Sequence, residues 1–165
     1  MLYSVSLDNI FIRVKYVKHS MDERDLRIIE VLVGNARIPR SRIAEALGIT
    51  ETAVRKRISK LEKEGIILGY RAVVDYRKIN MVQSFTGIDV DPDALINVMR
   101  ELRKISGVVS LYLTTGDHNL IAEIICKDMD ELEEIHEKIM KIHGVKRICP
   151  AIVTEIIEIP TSKQA

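Results

Sequence analysis

Two short amphipathic segments meet at Gly48-Ile49-Thr50, and so brief a connection leaves the chain little choice but to turn one helix sharply onto another. Pro39 opens the first segment, where its missing N–H costs nothing; Ile43, Ala44 and Leu47 face inward, and Gly48 stops it. Thr50 is placed to cap the second segment, which the spacing predicts over residues 51–64, before Gly65. Val54, Ile58 and Leu61 fall at i, i+4 and i+7 and turn toward a core. Ahead of the pair, Ser20 is the expected cap of another helix with Asp22, Glu23 and Asp25 in its first turn. Leu26, Ile29 and Val33, with Ile28 and Leu32 beside them, are its expected buried face, and Gly34 and Asn35 end it. Three helices with this corner have the dimensions of a helix-turn-helix, whose second helix enters the major groove of DNA.

Charge points the same way. The net +1 of the 165-residue chain is a cancellation: residues 1–78 carry 16 Lys and Arg against 10 Asp and Glu, and residues 79–165 carry 9 against 14. Residues 37–63 alone hold Arg37, Arg40, Arg42, Arg55, Lys56, Arg57, Lys60 and Lys63 against Glu45, Glu51 and Glu62. On the predicted second helix of the corner, Thr52, Arg55, Lys56, Ser59 and Lys60 face solvent and Arg57 lies at the boundary. Arg and Lys neutralise phosphates or bond the O6/N7 edge of guanine, and hydroxyls reach phosphates or base edges. With Arg40, Arg42 and Thr50 they form the candidate surface for double-stranded DNA. A merely solvated helix face is the competing reading; the coincidence of the basic excess with the helical corner weighs against it.

Other chemistry is thin. Cys126 and Cys149 are the only cysteines and belong to no C-x-x-C pair, which argues against a disulfide framework or a thiolate zinc site and for the cytoplasm. No run approaches the roughly 20 apolar residues of a membrane span. Residues 1–20, with Arg13, Lys15 and Lys18 among their apolar residues, do not read as a secretory signal. His136 and His143, with Glu133 and Glu137, read as one side of a plain amphipathic helix rather than a metal site. Asp117-His118 has no partnered nucleophile, so neither catalytic residues nor a cofactor are expected.

Behind Gly65 the β-branched run through Val74 reads as a strand leading into a linker at residues 76–80. From Met81 the expected order is a strand to Val90, a helix opened by Asp91-Pro92-Asp93 and reaching Ile105, and a strand from Val108 to Thr115. A turn at Gly116-Asp117-His118-Asn119 leads to a strand from Leu120 to Cys126, a helix over residues 129–142, and a last strand from Lys146 to Glu158. This βαββαβ order predicts a four-stranded antiparallel sheet with both helices on one face, a ferredoxin-like α+β domain. An echo supports it: Lys104-Ile105-Ser106-Gly107-Val108 and Lys141-Ile142-His143-Gly144-Val145 share K-I-x-G-V, each at a helix-to-strand exit. Val109, Leu111 and Leu113 on one side of a strand, and Val108, Ser110, Tyr112 and Thr114 on the other, leave apolar and aromatic area on both faces of a sheet whose helices cover only one; burying both takes a second sheet from another copy of the chain, which predicts a homodimer.

Residues 21–29, the corner from Ile43 to Lys63, the run Leu61 to Tyr70 and the turn Thr114 to Asn119, in that order, resemble the leucine-responsive regulatory protein family (Lrp/AsnC, the feast/famine regulators). The resemblance covers residues 21–159. It implies a winged-helix-like helix-turn-helix domain at residues 21–69, a strand and linker at 70–80, and an effector-binding, oligomerising domain at 81–159, leaving an extension at 1–20 and a tail at 160–165. It also implies dimers that assemble into octamers, and an amino-acid effector at a subunit boundary near Gly116, Asp117, His118 and Asn119, with Ile148, Cys149 and Pro150 opposite. Asp117 would accept from the ammonium group and the turn's N–H groups would bind the carboxylate. His118-Asn119 replaces a commoner aromatic-acid pair, and Ile148-Cys149-Pro150 lacks the hydroxyls frequent in amino-acid-binding members. The expected function is a sequence-specific transcription regulator; the alternatives are a low-specificity architectural DNA binder and a small ligand-binding or metabolic αβ protein.

Overall fold

The computed structural model describes residues 21–157, which form two compact units parting between Val73 and Val74. The extension at 1–20, with the expected Ser20 cap, and the tail at 160–165 lie outside the described residues.

The first unit contains α1 (Glu23–Gly34), α2 (Arg40–Leu47) and α3 (Glu51–Lys63). Asp22 caps α1: its Oδ1 accepts from the backbone N–H of Asp25 at 2.9 Å, and Asp25 Oδ2 accepts from the N–H of Asp22 at 3.4 Å. The inward face is Asp25 and Ile28, with Ile29 and Leu32 half-buried, whereas Leu26 and Val33 point to solvent. The expected apolar stripe is displaced because a carboxylate holds one of the inward positions. Gly48 ends α2 in the left-handed region at φ 61°, and Thr50 Oγ1 accepts from Ala53 N at 3.2 Å to start α3. Val54, Ile58 and Leu61 are buried as the spacing predicts, against Ile28, Ile43 and Ala44.

The expected strand after Gly65 does not form. Ile66 and Ile67 pack back on the helices and Tyr70 Oη donates to Glu62 Oε1 at 2.9 Å, while Leu68 and Val73 are exposed. A strand needs a neighbour for its N–H and C=O groups, and the described part of this unit contains no other.

The second unit begins with a 3₁₀ turn at Tyr76–Ile79 and continues as β1 (Val82–Val90), a 3₁₀ turn at Pro92–Ala94, α4 (Leu95–Leu102) and β2 (Val108–Leu113). It ends with β3 (Leu120–Cys126), α5 (Met129–Met140) and β4 (Val145–Ile152). The sheet order is β2-β3-β1-β4, antiparallel throughout, so β1 lies between β3 and β4. Its last ladder pair with β4 is Ser84 with Ile152; β1 starts two residues earlier at Val82, so β4 stops short of the expected Glu158. Gly107 and Gly144, the echoed glycines, both take positive φ, and a Cβ at Gly144 would sit 2.1 Å from that of Ala94.

Val98, Leu102, Leu132, Ile135 and Ile139 cover one face through Ile88, Leu120, Ala122 and Ile124. An irregularity between Val108 and Ser110 shifts the alternation in β2, so Val108 and Leu111 both pack on this covered face, correcting the expected grouping of Val108 with Tyr112. Phe85, Val109 and Tyr112 are 40%, 39% and 48% exposed, the apolar remainder expected on the sheet.

Within the covered face Ser84 and Thr86 are buried, their hydroxyls 3.0 Å apart, and Thr86 Oγ1 lies 3.0 Å from His136 Nε2. His136 thus faces the sheet, while His143 lies beyond the end of α5 and is exposed, so the two do not share a helix face. Burial pushes the His136 imidazole below the ordinary histidine range. The unfolded chain then binds more protons, so this group's contribution is complete above about pH 6.5 and declines on acidification toward the folded value. His136→Gln should flatten the melting-temperature profile between about pH 5 and 7; an unchanged slope in thermal denaturation would count against it.

Candidate nucleic-acid interface and effector site

On α3, Thr52, Arg55 and Lys56 are exposed and Ser59 is half-buried, a row at i, i+3, i+4 and i+7 opposite the face buried through Val54, Ile58 and Leu61. Arg55 and Lys56 have no ion-pair partner among the described residues, so both charges are available to a polyanion. Arg40 is exposed at the start of α2, and the exposed Arg42 meets Glu45 at 3.2 Å, a pairing weak enough in water for a phosphate to displace. Thr50 is engaged as the cap of α3.

Arg57 departs from the expected surface. Its Nη1 donates at 2.6 Å to Asp22 Oδ2 and at 2.6 Å to Asp25 Oδ1, and Asp25 is 1% exposed. These hydrogen bonds, Asp25's foremost, raise the guanidinium pKa. The carboxyl of Asp22 is held below its usual range by the N–H of Asp25, with Arg57 contributing. Arg57 therefore ties α3 to the start of α1, beside the exposed row. Lys60 Nζ stands 4.0 Å from both Asp25 and Glu64, looser contacts that leave it half-exposed.

In the second unit the hairpin between β2 and β3 closes with Thr114 N donating to Asn119 O at 3.0 Å and Thr114 Oγ1 to His118 O at 2.5 Å. Gly116 and Asp117 are exposed at its tip. Asn119 Oδ1 accepts from Val90 N at 2.8 Å, which anchors the hairpin to β1. His118 folds over the uncovered face of β1, where a Cβ on Gly87 would lie 2.1 Å from its ring; only glycine leaves it room. His118 Nδ1 meets Asp89 Oδ1 at 2.8 Å, and Arg147 Nε donates to Asp89 Oδ2 at 2.7 Å.

Register sorts the remaining residues. Gly87 pairs with Cys149 and Asp89 with Arg147, so Cys149 and Arg147 share the uncovered face with His118. Ile148 and Pro150 alternate to the other face, opposite Ile88 and Thr86, and Ile148 packs on the core. Gly87, Asp89 and Arg147 are absent from the sequence-derived set; opposite charges one step beyond Gly87 and Cys149 were the available signal, but only the β1–β4 register makes them neighbours. Burial pushes the Asp89 carboxyl up, and the hydrogen bonds from His118 and Arg147 outweigh it, leaving it below the usual range.

Comparison with known proteins bears directly on both regions. Residues 21–67 match the family model for winged helix-turn-helix DNA-binding domains, and residues 83–161 match that for the Lrp/AsnC ligand binding domain. The HTH-type transcriptional regulator LrpA of Pyrococcus abyssi is 44% identical over 137 residues, spanning 82% of this chain and 97% of that protein. The chain belongs to the Lrp/AsnC family. Among solved Lrp/AsnC structures, E. coli AsnC is 26% identical with a TM-score of 0.64, over 86% of this chain and 97% of that one. A Neisseria meningitidis regulator solved as a complex with L-Met has a TM-score of 0.66 at 24% identity, over 87% and 96% of the two chains. This Lrp/AsnC chain is a DNA-binding transcription regulator with a ligand-binding domain, and its matched relatives are regulators, not enzymes.

Asp89 gives a test of the geometry. A carboxylate with a lowered folded-state pKa contributes stability above the unfolded value near pH 4, and that contribution is lost as acid titrates the native group. Asp89→Asn should melt below the wild type at neutral pH, with the gap closing below about pH 3 in thermal denaturation. A gap that persists in acid would contradict the Asp89 linkage.

Proposed function

We propose that this Lrp/AsnC regulator grips double-stranded DNA through the outer row of α3, Thr52, Arg55, Lys56 and Ser59, with Arg40, Arg42 and Lys60 meeting flanking phosphates. The observation carrying this reading is the pair of unopposed cations, Arg55 and Lys56, early on the second helix of a helix-turn-helix. Thr50 and Arg57 support the row from within the fold. In this reading the regulator works in the cytoplasm; among the described residues no helix is long and apolar enough to cross a membrane.

The regulator acts as a homodimer or a larger assembly, supported by the apolar and aromatic side chains exposed on the sheet, Phe85 and Tyr112 among them. A small amino-acid effector engages the Gly116 to Asn119 hairpin at a subunit boundary and alters DNA binding through its differential affinity for two quaternary states. That a Neisseria relative was solved with L-Met supports an amino acid as the ligand class.

Fluorescence anisotropy on DNA from the regulator's own promoter region tests the reading row. Arg55→Ala and Lys56→Ala should each weaken binding about tenfold, and a lost phosphate contact should reduce the salt slope by about one. Their melting temperature should stay at the wild-type value, whereas Arg57→Gln should lower both stability and affinity. Wild-type affinity in the Arg55 and Lys56 variants would move the interface elsewhere.

A further inference from the structure

The carboxylate of Glu62, in the last turn of α3, shares a cleft with two arginines and pairs with neither. The cleft, of about 410 Å³, is lined by Arg40, Glu62 and Tyr70, with Arg37 and Glu51 beside them and Ile58 in its wall. Among the described residues Arg40 has no ion-pair partner and Glu62 meets no cation at ion-pair distance. Glu62 Oε1 accepts instead from Tyr70 Oη at 2.9 Å. Burial first, and Glu62 second, hold the Tyr70 phenol above its usual range, while Arg40 opposes them. Of the two arginines, Arg40 is therefore the one close enough to act on that hydroxyl. Opposite charges in one exposed cleft attract, and the phenol is the group that engages Glu62 in place of the guanidinium. Tyr70 stands on the segment that leaves α3 and ends the first unit at Val73, anchored nearer α3 by Ile66 and Ile67.

We propose that Tyr70 is a positioning residue for DNA contact: by occupying the Glu62 carboxylate it keeps that anion off Arg40 and leaves the guanidinium for a phosphate. The inference rests on the reading of Arg40 as a flanking phosphate contact. Without the hydroxyl, the flexible Glu62 side chain turns to Arg40, and a phosphate must then displace it before binding. Glu62 thus has two alternative partners on facing sides of one cleft, and Tyr70 decides between them. The same exchange follows whenever residues 68–73 leave α3, which makes the segment ahead of Val74 a control on DNA affinity.

Fluorescence anisotropy on promoter DNA tests this in the full chain with single and paired variants, and melting curves of each control for folding. Tyr70→Phe should weaken binding about three- to fivefold, the size of the exposed ion pair it allows to form. Glu62→Gln should restore the wild-type level in the Tyr70→Phe chain and gain less in the wild-type chain, where Tyr70 already occupies the carboxylate. Glu62→Gln alone should cause no loss, and in an Arg40→Ala background Tyr70→Phe should have no effect. Four results overturn Tyr70 as a positioning residue while leaving Arg40 its phosphate: wild-type affinity in Tyr70→Phe, equal gains from Glu62→Gln in both backgrounds, weaker binding in Glu62→Gln alone, or a Tyr70→Phe loss that survives Arg40→Ala. If Arg40→Ala itself binds as the wild type does, the phosphate reading of Arg40 fails and this proposal with it.

Discussion

A buried carboxylate governs the DNA-binding unit. Asp25 occupies an inward position on α1 that an apolar residue would ordinarily hold, and an unpaired charge there would be costly. Arg57 Nη1 neutralises it at 2.6 Å while reaching Asp22 at the same distance, so the start of α1 and the middle of α3 are tied by one side chain. The apolar contacts among Ile28, Ile43, Val54 and Leu61 bring the helices together without direction. The hydrogen-bonded ion pair adds direction, and it restricts the rotation of α3 about its own axis. That rotation decides which side chains face outward, and Thr52, Arg55, Lys56 and Ser59 are the result.

In the ligand-binding unit the corresponding constraint is the antiparallel register of β1. Its two ladders place Gly87 opposite Cys149 and Asp89 opposite Arg147, and they leave the hairpin before β3 close enough for His118 to fold over Gly87. Asp89 then collects a donor from the hairpin and another from β4. One carboxylate thus links the proposed sensing turn to the sheet, while Asn119 fixes the same turn to Val90 by a separate hydrogen bond. The hairpin tip at Gly116 and Asp117 stays exposed above a tethered base.

Much of the fold was legible because local rules decided it. The stop at Gly48, the cap at Thr50 and the buried spacing of Val54, Ile58 and Leu61 need no knowledge of the rest of the chain, and neither does the βαββαβ order. The failures share a cause: each depended on a partner distant in sequence. Asp25 looks like a first-turn acid until Arg57 draws it inward, and the same contact engages Arg57 in the fold. Residues 66–74 have strand composition but no neighbouring strand in the described unit. The family resemblance implies Ile148, Cys149 and Pro150 together, whereas strand alternation turns Cys149 to one face of the sheet and Ile148 and Pro150 to the other, and Asp89 and Arg147 become a pair only through register. The split of charge between the two halves of the sequence was legible throughout, and it placed the basic excess around the corner that bears Arg55 and Lys56.

On the proposed DNA interface, α1 holds Arg57 while Arg55 is left for DNA. NMR observation of the arginine Nε–Hε resonances during titration with promoter DNA separates the two directly. The Arg55 signal should shift and sharpen as DNA is added, and that of Arg57 should keep its position because Asp22 and Asp25 already hold its guanidinium. Movement of Arg57 with Arg55 unmoved would contradict the proposed interface.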